Sequence, residues 1–167
     1  MEIRIRKADE HDIPGILRIV NYEIVHTTAN YSYQENSLDD QLEWYWKKQE
    51  ERWPVIVADL NHKVIGFGTY GAFRLKEAYR YSVEHSVYVA KEARGQGIGQ
   101  MLLKELIQLA LQQSYHTMIA GVDSSNQGSY AFHQRMGFKE VGRFSEVGYK
   151  FDRWLDLILM QLLLREE

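Results

Sequence analysis

The chain contains no cysteine, which excludes a disulfide framework, a thiolate nucleophile and any cysteine-ligated metal. The remaining candidate ligands do not substitute: His11, His26, His62, His85 and His116 show no metal-ligand spacing, so no metal is expected. Two prolines among 167 residues leave no proline-rich linker, and there is no internal repeat or low-complexity tract. No apolar run approaches the roughly 20 residues that span a bilayer, and the opening "MEIRIRKADE" has no continuous apolar signal region. A formal net charge of only -3 supplies no basic footprint for nucleic acid or an anionic membrane. These absences lead to the expectation of a cytoplasmic protein with neither nucleic-acid nor membrane partners.

What is present is globular: 45% hydrophobic and 26% charged residues, in a length suited to a single domain spanning 1–167. "IRIRKA" from Ile3 alternates as a half-buried strand. Asp12 is a candidate N-cap with Pro14 in the first turn, followed by Ile16, Leu17, Ile19, Val20 and Ile24 at helical spacing to about His26. Ser37 and Asp40 form a capping-box pattern ahead of "LDDQLEWYWKKQEER". "PVIVADL" and "KVIGFGTYGAF" meet at Asn61 and His62, a hairpin signature.

"YSVEHSVYVA" is a further strand. A helix is expected from Gly97 to Ser114, "TMIAGVD" reads as a short buried strand, and a helix from about Asn126 ends at Gly137. The tail reads as two strands, the second strongly apolar. This order predicts an α/β (α+β mixed) fold: a central mixed, mostly antiparallel sheet with helices on both faces.

The segment "EHSVYVAKEARGQGIGQ" sets glycines at the point where a strand gives way to a helix. Unpaired N–H groups and partial positive charge at a helix start attract phosphate, and glycine lets the anion come close to the backbone. The triphosphate loop G-x-x-x-x-G-K-S/T is not matched, since no Lys-Ser or Lys-Thr follows. Gly95, Gly97 and Gly99 also miss the dinucleotide spacing G-x-G-x-x-G. The pattern from Arg94 to Gly99 is R-x-x-G-x-G, and it resembles the acyl-CoA signature of the GNAT acetyltransferase superfamily.

Asn126, Ser129, Phe132, His133, Gly137 and Phe138 match the second family pattern, N-x-x-A/S-x-x-L/F-Y/H-x-x-x-G-F. The chain is most similar to the branch of phosphinothricin and methionine sulfoximine acetyltransferases, through "HTTANY", "FR" at Phe73 and Arg74, "AYRYSVEHSVYV" and "GYKFDRWLDLILMQ". The resemblance covers nearly the whole chain. It implies the GNAT fold, acetyl-CoA as cosubstrate, a small-molecule amine or amino-acid substrate, direct attack without an acyl-enzyme, and a homodimer. For the dimer, Trp154 with "WLDLILMQLLL" is the candidate interface, burial within the sheet being the alternative.

By the same resemblance Glu84 is the candidate general base and His133, where many members have tyrosine, the candidate proton donor to the leaving sulfur. Alternation puts Ser86 and Tyr88 on the face of Glu84 and turns Val83, Val87 and Val89 the other way. The cofactor-binding set carried over is Val87, Tyr88, Val89, Arg94, Gly95, Gln96, Gly97, Ile98, Gly99, Asn126 and Ser129. Arg74 and Arg80 are candidates for a substrate carboxylate, which a guanidinium holds through two parallel hydrogen bonds, and Tyr31 for the pocket wall. A protein N-terminus or a polyamine as substrate, and a non-catalytic acyl-CoA sensor, remain open at this level.

Overall fold

In a computed structural model, which describes residues 2–165, the described residues form seven strands and four α-helices. In chain order these are β1 (Arg4–Lys7), α1 (Ile13–His26), α2 (Leu38–Glu50), β2 (Val55–Leu60), β3 (Lys63–Ala72), β4 (Ser82–Val89), α3 (Ile98–Gln112), β5 (Thr117–Asp123), α4 (Gln127–Arg135), β6 (Lys139–Lys150) and β7 (Arg153–Leu163). The sheet order is β1-β2-β3-β4-β5-β7-β6. Every pairing is antiparallel except β4 with β5. The expected mixed, mostly antiparallel sheet is thus present.

Local chemistry accounts for most boundaries. Ser37 and Asp40 make the reciprocal capping box that opens α2, and Asn61 and His62 both take positive φ in the β2–β3 hairpin, as a two-residue turn requires. The α1 start differs from expectation. Asp12 makes no side-chain cap there; it completes a capping box with Asp9 around a preceding 3-10 turn and receives Arg6 at 2.7 and 2.8 Å. A carboxylate facing a guanidinium gains a charge-assisted pair that a backbone N–H cannot match.

The two faces of the sheet carry different helices. β3 has one extra residue against β2, since Ala58 opposes Gly66 while Asp59 opposes Val64, and such a bulge changes which face the following side chains take. Val64 lies against Gly15 of α1, whereas Gly66 and Gly68 lie under Leu102 and Leu106 of α3. Leu102, Leu103 and Leu106 are fully buried, and truncating any one to alanine would cost about 2–5 kcal/mol. On the other face Phe67 packs edge-on to Trp44 of α2 and stacks on Tyr88. The apolar tail divides: Leu155, Ile158 and Met160 are buried, but Trp154 is 62% exposed.

Candidate active site

The site arises where two parallel strands part. β4 and β5 pair only over Ser82–Thr117, Val83–Met118 and Glu84–Ile119. Beyond that point β4 stays on β3 as far as Val89 and β5 stays on β7 as far as Asp123. A strand edge with unpaired N–H and C=O groups can hydrogen-bond an extended ligand as though it were another strand. The parted edges enclose a cavity of about 700 Å³ whose walls include Val87, Tyr88 and Val89 from β4, Ala120, Gly121 and Val122 from β5, and Phe132 and His133 from α4.

One end of the cavity is the glycine turn, lined by Arg94, Gly95, Gly97, Ile98, Gly99 and Gln100. Gly97 caps α3 with φ +77, and a Cβ built there meets nothing within 4 Å. The turn therefore needs glycine for its backbone angle and leaves open space in front of the first N–H groups of α3, as an anion site demands. Asn126 and Ser129 line the same cavity. The Asn126 side chain accepts from Ser129 N at 3.1 Å, so it caps α4 as expected and still faces the cavity.

Arg94 differs from a free cation. It donates to the buried carboxylate of Glu23 on α1 and through Nε to Val89 O at 3.2 Å. It ties α1 to the exit of β4. Gln96, Glu84, Tyr31, Arg74 and Arg80 are not among the residues lining the cavity.

Glu84 lies on the α1/α2 face of the sheet, opposite Gly71, at the last β4–β5 pair. It shares that face with Ser86 and Tyr88, as alternation predicts. Desolvation raises its pKa while Arg74 pulls it back. Arg74 stacks on Phe73 at 5.1 Å and Arg80 on Tyr81 at 4.7 Å, both exposed. Tyr31 donates its hydroxyl to Asp123 at 2.8 Å.

His133 stands in the cavity wall, 6% exposed. Its Nδ1 is 2.7 Å from Ser129 O, and a carbonyl only accepts, so Nδ1 carries the proton. Its bare Nε2 faces Nε2 of His85 at 3.1 Å, which must then be the donor. His85 Nδ1 is left as a buried acceptor without a hydrogen-bond partner. Burial lowers both pKa values, that of His85 to about 3 with help from His133. The pair is neutral near pH 7.

Four polar residues of this region escape sequence reasoning: Glu23, His85, Asp123 and Lys150. Glu23 had a signal, since it continues the stripe of Ile16, Ile19 and Val20 at i+7 and so puts a carboxylate on an apolar face. His85 had a weaker one, lying one residue out of phase with the chemical face of β4. Among the described residues no group of three or more His, Asp or Glu is placed to hold a metal ion, and no helix is long and apolar enough to cross a membrane.

Comparison with known proteins bears on the family and the fold. The model of the Acetyltransferase (GNAT) family matches residues 19–138. The chain is 41% identical to the L-methionine sulfoximine/L-methionine sulfone acetyltransferase of Pseudomonas aeruginosa over 163 residues, 97% of this chain and 95% of the other. An N-acetyltransferase crystal structure from Staphylococcus aureus superposes with a TM-score of 0.97 at 43% identity, covering 99% of this chain and all of that one (100%). A phosphinothricin acetyltransferase from Sinorhizobium meliloti, solved in complex with acetyl-CoA, gives 0.94 at 33% identity, covering 98% and 89%.

Proposed function

The chain belongs to the GNAT acetyltransferase family and is an N-acetyltransferase, and from that premise we propose that it acetylates the α-amino group of a small amino acid or analogue. Phosphinothricin, methionine sulfoximine and methionine sulfone define the substrate type, and acetyl-CoA is the cosubstrate. The observation that carries this reading is the parting of β4 from β5 directly beside a glycine turn that opens a helix. A pyrophosphate suits the turn, an extended amide-bearing arm suits the unpaired edge of Val87 to Val89, and Asn126 and Ser129 lie along the same cavity. The cosubstrate supplies the acetyl thioester; this chain's residues supply position and proton transfer.

Attack requires a neutral amine, and an α-amino group with an ordinary pKa of about 8 is largely protonated at neutral pH. Glu84, on the face opposite His85 and His133, takes that proton directly or through water. Its raised pKa supports the role, because a base works best with a pKa nearer the working pH. Backbone N–H groups of the β4 edge suit the developing oxyanion. Arg74 and Arg80, exposed in the loop that leads into β4, suit the substrate carboxylate, and Tyr31, bonded to the cavity-lining Asp123, suits the wall of the amine side.

His133 is the candidate donor to the departing thiolate. Its one proton sits on Nδ1 against Ser129 O at 2.7 Å, so the donor role requires Nε2 first to take up a proton, the one the attacking amine releases, and then pass that proton to the thiolate sulfur.

The β6–β7 hairpin leaves Trp154, Val141 and Val147 each more than half exposed, which supports a homodimer that sedimentation velocity tests. The function itself is tested by thiol release from acetyl-CoA over a panel of phosphinothricin, methionine sulfoximine, methionine sulfone, common amino acids, spermidine and short peptides. Release restricted to the amino acids and analogues is expected. Turnover of spermidine or peptides alone would overturn the substrate assignment.

A further inference from the structure

Two stretches singled out in the sequence, "HTTANY" and "GYKFDRW", enter the chemistry above only through Tyr31, and the structure brings them into contact. The loop between α1 and α2 starts at Thr27 with no regular structure of its own. Lys150, the last residue of β6 and only 4% exposed, donates through Nζ to Thr27 O at 2.8 Å and Asn30 O at 2.6 Å. From the other strand Asp123, 5% exposed, accepts from Thr28 Oγ1 and Tyr31 OH, each at 2.8 Å.

The alternation is regular: carbonyls of residues 27 and 30 go to the lysine, side chains of 28 and 31 to the aspartate. Two further ties follow, with the Tyr31 ring lying against Gly148, where a Cβ would come within 2.9 Å of Cε2, and Tyr33 OH donating to Tyr149 O. Between these ties Thr27 and Ala29 line the cavity, facing the β4 edge.

A buried amine and a buried carboxylate are costly to desolvate unless hydrogen bonds answer them. One five-residue segment answers both, joined at Asp123 by the N–H and hydroxyl of Ser125. We infer that Lys150 and Asp123 are positioning residues that clamp loop 27–31 to the β5–β6 side of the sheet and thereby set the width of the amine side of the site. Gly148 is the third element of the clamp, kept without a side chain so that Tyr31 can seat. The inference deepens the proposed function and rests on its placing the amine beside Glu84 and Tyr31.

The test uses Lys150→Met, which keeps the length of the side chain and removes the donor, and Gly148→Ala, which leaves both ions in place and pushes only on the Tyr31 ring. Each variant should raise the KM for the amine roughly tenfold, the scale of one or two buried hydrogen bonds, with the KM for acetyl-CoA within about twofold of wild type. Amide hydrogen exchange across 27–33 should speed up in both, with the β3–β4 core unchanged. A purely structural role predicts lower thermal stability with no split between the two KM values, and that result overturns the inference. Unchanged exchange at 27–33 overturns it independently of any substrate. Should wild type bind acetyl-CoA yet acetylate no amine on the panel, the substrate reading fails, while the exchange data still judge the clamp.

Discussion

Replacing Gly97 by valine separates what the turn costs the protein from what it does for a ligand. With φ +77 at this position, an L side chain costs roughly 1–2 kcal/mol in the left-handed region. No protein atom lies within 4 Å of the new Cβ, so no clash adds to that strain. For a domain of this size about 1 kcal/mol lowers Tm by about 2–4 °C, which puts the expected fall at roughly 2–8 °C.

The added methyls occupy open space at a residue that both caps α3 and lines the cavity, where phosphate bound at the helix start would compete with them. Losing one hydrogen bond to a charged group costs about 1.5–3 kcal/mol, or about a 10- to 150-fold weaker Kd for acetyl-CoA. Gly97→Ala should share the strain but obstruct less, with a smaller loss of affinity. Titration calorimetry with acetyl-CoA and a thermal melt of each variant give both quantities. A melting temperature that falls as calculated, with affinity within twofold of wild type, would refute the assignment of this turn to phosphate.

Glu84→Gln should lower kcat by about 100-fold or more, within the range of general-base loss, and abolish the acidic limb of the pH–rate profile. That limb lies above the ordinary glutamate value because the folded pKa is raised, and a limb unchanged by the substitution would remove Glu84 as base. The same raised pKa means that ionised Glu84 opposes folding above its unfolded pKa, so the variant should melt no lower than wild type at pH 7. Arg74→Ala should raise the KM for amino acids about tenfold, one charge-assisted hydrogen bond, with little change for amines lacking a carboxylate; equal losses on both would contradict its role. The His85–His133 pair predicts stability that is complete above about pH 6.5 and falls below it, as the unfolded chain takes up protons the folded pair refuses. Burial holds both folded pKa values below the ordinary histidine value, so His85→Asn should flatten the urea-derived stability profile as pH falls from about 6.5 to about 5.

Much of this was legible in the chain. Helix caps, the Asn61–His62 hairpin and the Gly97 and Gly137 punctuation depend on residues a few positions apart, whose preferences act before any tertiary contact forms. The face of Glu84, Ser86 and Tyr88 followed from the two-residue period of a strand. Asp12 stands at the expected N-cap position of α1 but makes no side-chain cap, because Arg6, which claims its carboxylate, reaches it only when β1 lies beside the 3-10 turn.

Sequence by itself determined the element order, the glycine turn with its helix start, and the asparagine-capped helix that follows, since each is written in local propensity and spacing. Tertiary structure decided where β4 and β5 part, and hence that the cavity exists at all. It also decided that Arg94 is committed to Glu23, that His133 is held by His85, and that Lys150 reaches the carbonyls of Thr27 and Asn30 more than a hundred residues away. Those partners are buried polar groups, and a buried polar group is answered by whatever the fold brings within about 3 Å. Their pairing is a property of packing, which no local pattern records.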